Sequence, residues 1–134
     1  MMEVKGFIRC DQDSGFSAHI GPFYQKPQGE GFVRALQLGD IHLNPEGVVH
    51  GGVLLSFADY VIYRAIGDIT GHQMKFATIQ LNSQFLAAAK AGEVLLGEGR
   101  IVRQTRSVIF AEGRLFTERR EIMAANGIWK VLGA

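Results

Sequence analysis

Apolar residues recur at Leu54, Phe57, Ala58, Val61, Ile62 and Ala65, a 3.6-residue period held for about four turns, and this stretch predicts one amphipathic helix. Gly67 and Gly71 are expected to end it. From residue 75 the period changes to two. Ala77, Ile79, Leu81 and Phe85 alternate with Thr78, Gln80, Asn82 and Gln84, which predicts a half-buried strand with a polar face. Ala91-Gly92-Glu93 turns the chain into a second long strand, Val94 to Val102, and Arg103-Gln104-Thr105-Arg106 turns it again into Ser107 to Phe116. The charged run Glu118 to Glu121 leads to a last strand through Trp129 and Leu132. Upstream, residues 1 to 22 hold a partly apolar segment suited to a helical turn or two before Gly21-Pro22. Lys26-Pro27-Gln28-Gly29 then reads as a turn, and Gly31 to Leu38 as a first strand.

One long helix between a first strand and an antiparallel meander makes an α+β domain in which the sheet curves around the helix and buries it. Neither an internal repeat nor a linker interrupts residues 1–134, so a single domain is expected. A lone sheet leaves an edge strand unpaired, and covering that edge with a second copy makes a homodimer the expectation.

At 134 residues, with 47% apolar and 10% aromatic side chains, the chain can build a core and is unlike a disordered segment. Its net charge of +1, with Arg and Lys scattered among acids, gives no electrostatic case for nucleic acid or for an acidic membrane surface; a small ligand is expected. Cys10 is the only cysteine, which excludes an intrachain disulfide and a thiolate-rich metal site. The N-terminal MMEVKGFIRCDQD has early acids and no apolar core of a leader, and no 18 apolar residues run together, so the cytoplasm is the default location.

Candidate chemistry gathers at residues 44 to 52, NPEGVVHGG, directly before the predicted helix. A helix opening on His50, Gly51 and Gly52 presents backbone N–H groups with no intrahelical partner, and glycine allows close approach. Such an end attracts developing negative charge. Glycines also occur in loops for conformational reasons alone, so the pair matters by its position. Asn44 most simply begins a turn before Pro45, while its amide could instead hold a water or a carbonyl oxygen. Asp59 lies about 120° from the centre of the apolar stripe, flanking the core. On that residue alone a solvated or salt-bridged acid is the favoured reading, and the sharper one is a carboxylate at a cleft edge, serving as general base or nucleophile. The histidines, His19, His42, His50 and His72, show no i,i+4 pair, so a metal site is not expected. No Gly-x-Ser-x-Gly elbow, phosphate loop or dinucleotide glycine pattern is present.

Asn44, Gly47, His50, Gly51 and Gly52, with Asp59 nine residues after the histidine, resemble the hotdog-fold acyl-CoA thioesterases of the PaaI-like type, related to one branch of the 4-hydroxybenzoyl-CoA thioesterases. Asn82-Ser83-Gln84-Phe85-Leu86, the AAAKAGE turn at residues 87–93 and the Arg103 to Ser107 turn extend the likeness, which runs from about Gly21 to Leu132. The resemblance implies a hotdog fold, a long central helix wrapped by a five- to six-stranded antiparallel sheet, in dimers that often pair into tetramers. It further implies active sites at the dimer interface, with the Asn and Gly of the pre-helix loop from one protomer and the helix acid from the other.

Carried over by position, Gly51 would donate its N–H to the thioester oxygen and Asp59 would activate water or attack directly. Asn44 would orient water or the leaving group, His50 would shape the loop, and Thr78 would help hold the nucleophilic water. Gly52, Asn82, Lys90, Arg103, Arg106 and Ser107 would contact the acyl-CoA substrate, although solvated charge is the ordinary reading of each cation. Ala88 stands where many relatives carry proline, and Thr105 where glycine is common, which bears on how the phosphate end is held.

Thioester hydrolysis passes through an anionic tetrahedral species that helix-end N–H groups stabilise, while a carboxylate supplies the base or nucleophile; no cofactor or metal is required. Two other readings stand beside it. A non-catalytic acyl-thioester binding module is opposed by Asp59, and a hotdog hydratase or dehydratase would need a catalytic His in a differently spaced motif that this sequence lacks.

Overall fold

The computed structural model describes residues 4–10 and 14–133, so Glu3, Asp11 and Asp13 of the N-terminal segment, and the ends of the expected 1–134 domain, lie outside the described residues. The elements run β1 (Ile8–Arg9), α1 (Gly15–Ile20), β2 (Phe23–Gln28), β3 (Gly31–Gln37), a 3-10 turn (Asp40–His42), α2 (Gly51–Thr70), β4 (Phe76–Phe85), β5 (Val94–Gln104), β6 (Val108–Phe116) and β7 (Glu121–Val131). All seven strands form one antiparallel sheet in the order β1-β2-β3-β5-β6-β7-β4. The expected helix, meander and wrapped sheet are all present, and the architecture is the hotdog fold. No helix among the described residues is long and apolar enough to cross a membrane.

The sheet exceeds the expected five or six strands because two short N-terminal strands, β1 and β2, extend it beyond β3. Lys26, Pro27 and Gln28 are strand, not turn, and the reversal is confined to Gly29-Glu30, with Gly29 at φ +60°. Pro27 is tolerated there because β1 pairs only with Tyr24 and Gln25, so beyond it the missing N–H interrupts no ladder. Val4 and Phe7 pack on Tyr24, Ala35 and Leu96 on the face of the sheet turned from α2.

Helix α2 buries Leu54, Phe57, Ala58, Val61, Ile62, Ala65 and Ile66 against the sheet, as the period requires. Its five larger apolar side chains are worth roughly 8–15 kcal/mol of gross transfer free energy, far more than the ~1 kcal/mol that a glycine or the few tenths that a β-branched residue costs a helix. Close seating depends on glycine in the strands below. A Cβ on Gly97 would lie 2.7 Å from Val61 Cγ2, and one on Gly113 2.8 Å from Ile62 Cγ1.

Gly67 does not end α2. It stays helical and buried, the helix continues to Thr70, and Gly71 at φ +80° forms the cap, with its N–H on the Gly67 carbonyl. The last turn is tied to β3 by Arg34, whose Nη1 and Nη2 reach Asp68 Oδ2 and Oδ1 at 2.7 and 3.1 Å while Nη2 also meets Gln25 Oε1 at 3.0 Å. His72 Nε2 lies 3.0 Å from the same carboxylate.

Strand β4 departs from simple alternation. Thr78 pairs with Trp129 and Gln80 with Ile128, leaving Ile79 as a bulge residue that is 57% exposed. One inserted residue reverses the parity of the strand. Phe76 and Thr78 face α2 before the bulge, Leu81 faces it afterwards, and Ala77 and Ile79 do not. The expected half-buried strand is therefore a largely exposed edge, with Phe85 55% exposed at its far end.

Candidate active site

The loop before α2 builds its own shape from Asn44. Asn44 Oδ1 accepts from the N–H of Glu46 at 2.9 Å and of Val48 at 3.3 Å, while the Asn44 N–H donates to the Val48 carbonyl at 2.8 Å. The amide oxygen thus makes the turn, as the simpler reading of this residue has it, and the amide nitrogen makes no hydrogen bond among the described residues. Beneath the loop, buried His42 takes the Gly39 N–H on Nδ1 at 3.0 Å and donates from Nε2 to the Ile20 carbonyl at 2.7 Å. The His42 carbonyl in turn receives the His50 N–H at 2.8 Å, which sets the residue that opens the helix.

His50 is the N-cap of α2, and its Nδ1 accepts the Gly52 N–H at 2.8 Å. This cap sorts the two glycines. Gly52, expected among the substrate contacts, has its donor spent on His50. The N–H of Gly51 has no partner among the described residues and is the open donor at the positive end of the helix. The ring of Phe85, at the end of β4, lies alongside Gly51.

Asp59 stands at the edge of a groove of about 400 Å³ between α1 and the outer side of α2, together with Ser56, Tyr60, Tyr63 and Arg64. The Thr78 hydroxyl crosses from β4 and donates to Asp59 Oδ1 at 2.8 Å, and Oδ2 has no partner among the described residues. Asp59 is half-buried and forms no ion pair among the described residues, and its one hydrogen bond comes from Thr78. One oxygen is fixed and the other is open, an arrangement suited to accepting a proton from water or to attacking a carbonyl. Tyr60 and Tyr63 line the groove, whereas Phe57 and Phe76 belong to the core.

The remaining expected contacts divide between the two ends of the sheet. Lys90 lies in the loop after β4, next to the pre-helix loop through the Val49 N–H on the Ala89 carbonyl at 2.9 Å. Arg103, Arg106 and Ser107 are exposed at the opposite end, where the Val131 N–H meets the Ser107 carbonyl. There Thr105 closes the turn itself: its Oγ1 donates to the Val108 carbonyl at 2.7 Å and accepts the Val108 N–H at 3.0 Å. Asn82 is on the face of the sheet turned from α2, with its amide 3.4 Å from Asn126 Oδ1. A larger hollow, about 780 Å³, contains neither Asp59 nor Gly51, and four of its charges are joined as the pairs Arg100–Glu112 and Arg114–Glu98.

The Lys90 loop is held by a residue absent from the sequence expectations. Arg120, in the β6–β7 turn, grips the Ala88 carbonyl through Nε and Nη2 at 3.1 and 2.7 Å, and its Nη1 and Nη2 reach both oxygens of Glu93 at 3.0 and 2.7 Å. Those hydrogen bonds from Arg120 hold the Glu93 carboxyl below its ordinary value of 4.5, against an opposing effect of burial and with help from the Lys90 N–H. An Arg within reach of a Glu across a distant loop leaves no local pattern in the sequence.

Comparison with known proteins supplies the family. A model described as "Thioesterase superfamily" matches residues 46–124 of the 134. The curated Pseudomonas aeruginosa protein named "Putative esterase PA0474" is 28% identical over 133 residues, covering 98% of this chain and 99% of its own. Among solved structures, a Streptococcus pneumoniae hypothetical thioesterase protein with coenzyme A aligns at TM-score 0.71 and 23% identity, covering 83% of this chain and 86% of that one. The phenylacetic acid degradation protein PaaI of Thermus thermophilus, as a point mutant, aligns at TM-score 0.76 and 18% identity over 87% and 98%.

Proposed function

The chain belongs to the thioesterase superfamily, and from that premise we propose that it hydrolyses acyl-CoA thioesters at sites shared between two protomers. The observation that carries this reading is the Asp59 carboxylate, fixed at Oδ1 by Thr78 and open at Oδ2. Its natural complement is the open Gly51 N–H. Eight residues separate the two along α2, about 12 Å at the helical rise, which is too far for one reacting carbonyl to touch both. A second protomer removes the difficulty. β4 is an unpaired edge with Ile79, Phe85 and Leu86 exposed, and antiparallel pairing of two such edges about their middle sets the Phe85 end of one, where Gly51 lies, beside the Thr78 end of the other. The same pairing brings Lys90 of one protomer toward the Arg103–Ser107 turn of its partner. The coenzyme A held by the Streptococcus pneumoniae protein of the same fold supports this choice of substrate.

In this mechanism the Gly51 N–H of one protomer polarises the thioester carbonyl. Asp59 of the partner takes a proton from water through Oδ2 as the water oxygen bonds to the carbonyl carbon, and Thr78 keeps the carboxylate aimed. The tetrahedral oxyanion rests on the Gly51 N–H, then collapses, and the C–S bond breaks to release the acid and the coenzyme A thiol, which recovers the proton from Asp59. The Asn44 amide nitrogen is free to steer water or the leaving group, and His50 holds Gly52 so that Gly51 alone is presented. Further pairing of dimers into tetramers, a single domain and a cytoplasmic setting complete the proposal. Purified protein assayed for thiol release from short, medium, long and aryl acyl-CoAs tests it. Release is expected, and, with an enoyl-CoA added to the panel, an intact thioester with a hydrated acyl chain would instead mark a hydratase.

A further inference from the structure

Arg64 is a charge in the Asp59 groove that no described residue pairs with. Its Nε is fully buried without a hydrogen-bond partner, and the guanidinium makes no hydrogen bond or ion pair among the described residues. The Tyr60 ring lies beside it, its centroid 5.8 Å from the guanidinium carbon. Arg34 shows what this fold does with a buried guanidinium that serves structure: Asp68 engages it with both oxygens. With its Nε cut off from water and its tip open to the groove, this guanidinium is left to be completed by an anion there. Asp59 does not complete it, since the two form no ion pair although they line the same groove.

We propose that Arg64 binds a carboxylate at the far end of the acyl group, making the preferred substrates medium-length ω-carboxyacyl-CoA thioesters. This rests on the hydrolase reading above and names its substrate class. Arg64 is five residues beyond Asp59, about 7.5 Å further along the axis of α2 and about 140° around it. An acyl chain whose carbonyl sits at Asp59 reaches Arg64 by crossing the outer side of the helix past Tyr63 and Tyr60. Allowing for the reach of both side chains, a chain of about six to eight carbons spans that interval. The groove suits a polar tail, since Ser14 and Ser17 face the same space. The coenzyme phosphates are a poorer match, because the exposed Arg103 and Arg106 lie outside this groove.

The test compares kcat/KM for adipyl-CoA with hexanoyl-CoA and for suberyl-CoA with octanoyl-CoA, in the wild type, Arg64→Gln and Arg64→Lys, with thermal unfolding alongside. The wild type is expected to favour the carboxylated member of each pair at least about 10-fold. Arg64→Gln should lower the carboxylated substrates about 10- to 100-fold through KM and leave the neutral ones unchanged, with Arg64→Lys between them. Equal rates on the paired substrates in the wild type, or an equal loss on both in Arg64→Gln, would overturn the inference; the second result would assign Arg64 to coenzyme phosphate or to a partner's acid. Hydrolysis without carboxylate preference defeats this inference alone, whereas no thiol release from any thioester defeats the hydrolase reading and this inference with it.

Discussion

Thr78 Oγ1 donates to Asp59 Oδ1 across the gap between β4 and α2, at 2.8 Å, and it does so because Ile79 is bulged out of the strand. Without the inserted residue, a strand whose Leu81 faces the helix would also turn Ile79 inward and Thr78 outward. The bulge therefore aims the hydroxyl, and the hydroxyl orients the carboxylate. Asp59→Asn keeps an oxygen for Thr78 to bond but removes the base, so kcat should fall about 100- to 10,000-fold with the melting temperature little changed. Thr78→Ala leaves the base in place and should lose much less. A well-folded Asp59→Asn protein turning over at close to the wild-type rate would sink the mechanism.

Gly51 offers a cleaner deletion than is usual for a backbone donor. It is the first residue of α2, where proline fits a helix, and His50 before it has the extended backbone, φ −60° and ψ 133°, that a following proline prefers. Gly51→Pro thus removes the one open N–H and little else, with the exposed Phe85 ring as the neighbour that must shift. Loss of about 100- to 1000-fold in kcat with the helix content kept, by circular dichroism, is the expected outcome. Retained turnover in a folded variant would place the oxyanion elsewhere.

The helix, the meander and the loop before α2 were legible because their signals are local. Leu54 to Ala65 carry the helical period on their own, and strands β5 to β7 alternate between turns that announce themselves. What escaped depends on distant partners. The insertion at Ile79 exists only relative to Trp129 and Ile128, so alternation alone turns the wrong side of β4 inward and makes Thr78 part of a solvent face. Strand β2 was hidden instead by Pro27, which makes Lys26 to Gly29 read as a turn although only Gly29-Glu30 reverse the chain, whereas the Arg34–Asp68 and Arg120–Glu93 pairs join residues with no sequence relation. Gly67 misleads for a different reason. Glycine commonly stops helices, but here the imidazole of His72 folds back over it, and a Cβ would lie 2.5 Å from His72 Nδ1. Gly51 and Gly52 look equivalent in sequence, and only the rotamer of His50 separates them.

Glu93 gives the Lys90 loop a dependence on pH whose sign follows from Arg120. The folded carboxyl titrates below its unfolded value near 4.5, so the charged clamp stabilises the fold above that value and is lost as pH falls through the lower, folded one. Glu93→Gln should cost about 1–2 kcal/mol at neutral pH, a reduced figure because both partners are partly exposed. Denaturant melts of wild type and Glu93→Gln, repeated from pH 7 to 3, should converge below about pH 4.5. Curves that stay parallel to pH 3 would show that ionisation of Glu93 does not contribute to the fold.

If each site takes Gly51 from one protomer and Asp59 from the other, two dead proteins can make a living one. In a hybrid of Gly51→Pro and Asp59→Asn subunits, one site receives both substitutions and the other receives neither, so each hybrid dimer has one intact site. Random exchange makes half of the dimers hybrids, and the mixture should recover about a quarter of wild-type activity per protomer. The roughly 12 Å of helix axis between the two residues is what motivates this result, since a site built within a single protomer stays broken in every combination. Exchange is checked independently by labelling the two variants with donor and acceptor dyes and following energy transfer. Demonstrated exchange with no activity returned would rule out the shared site, and with it the role of the β4 edge in assembling one.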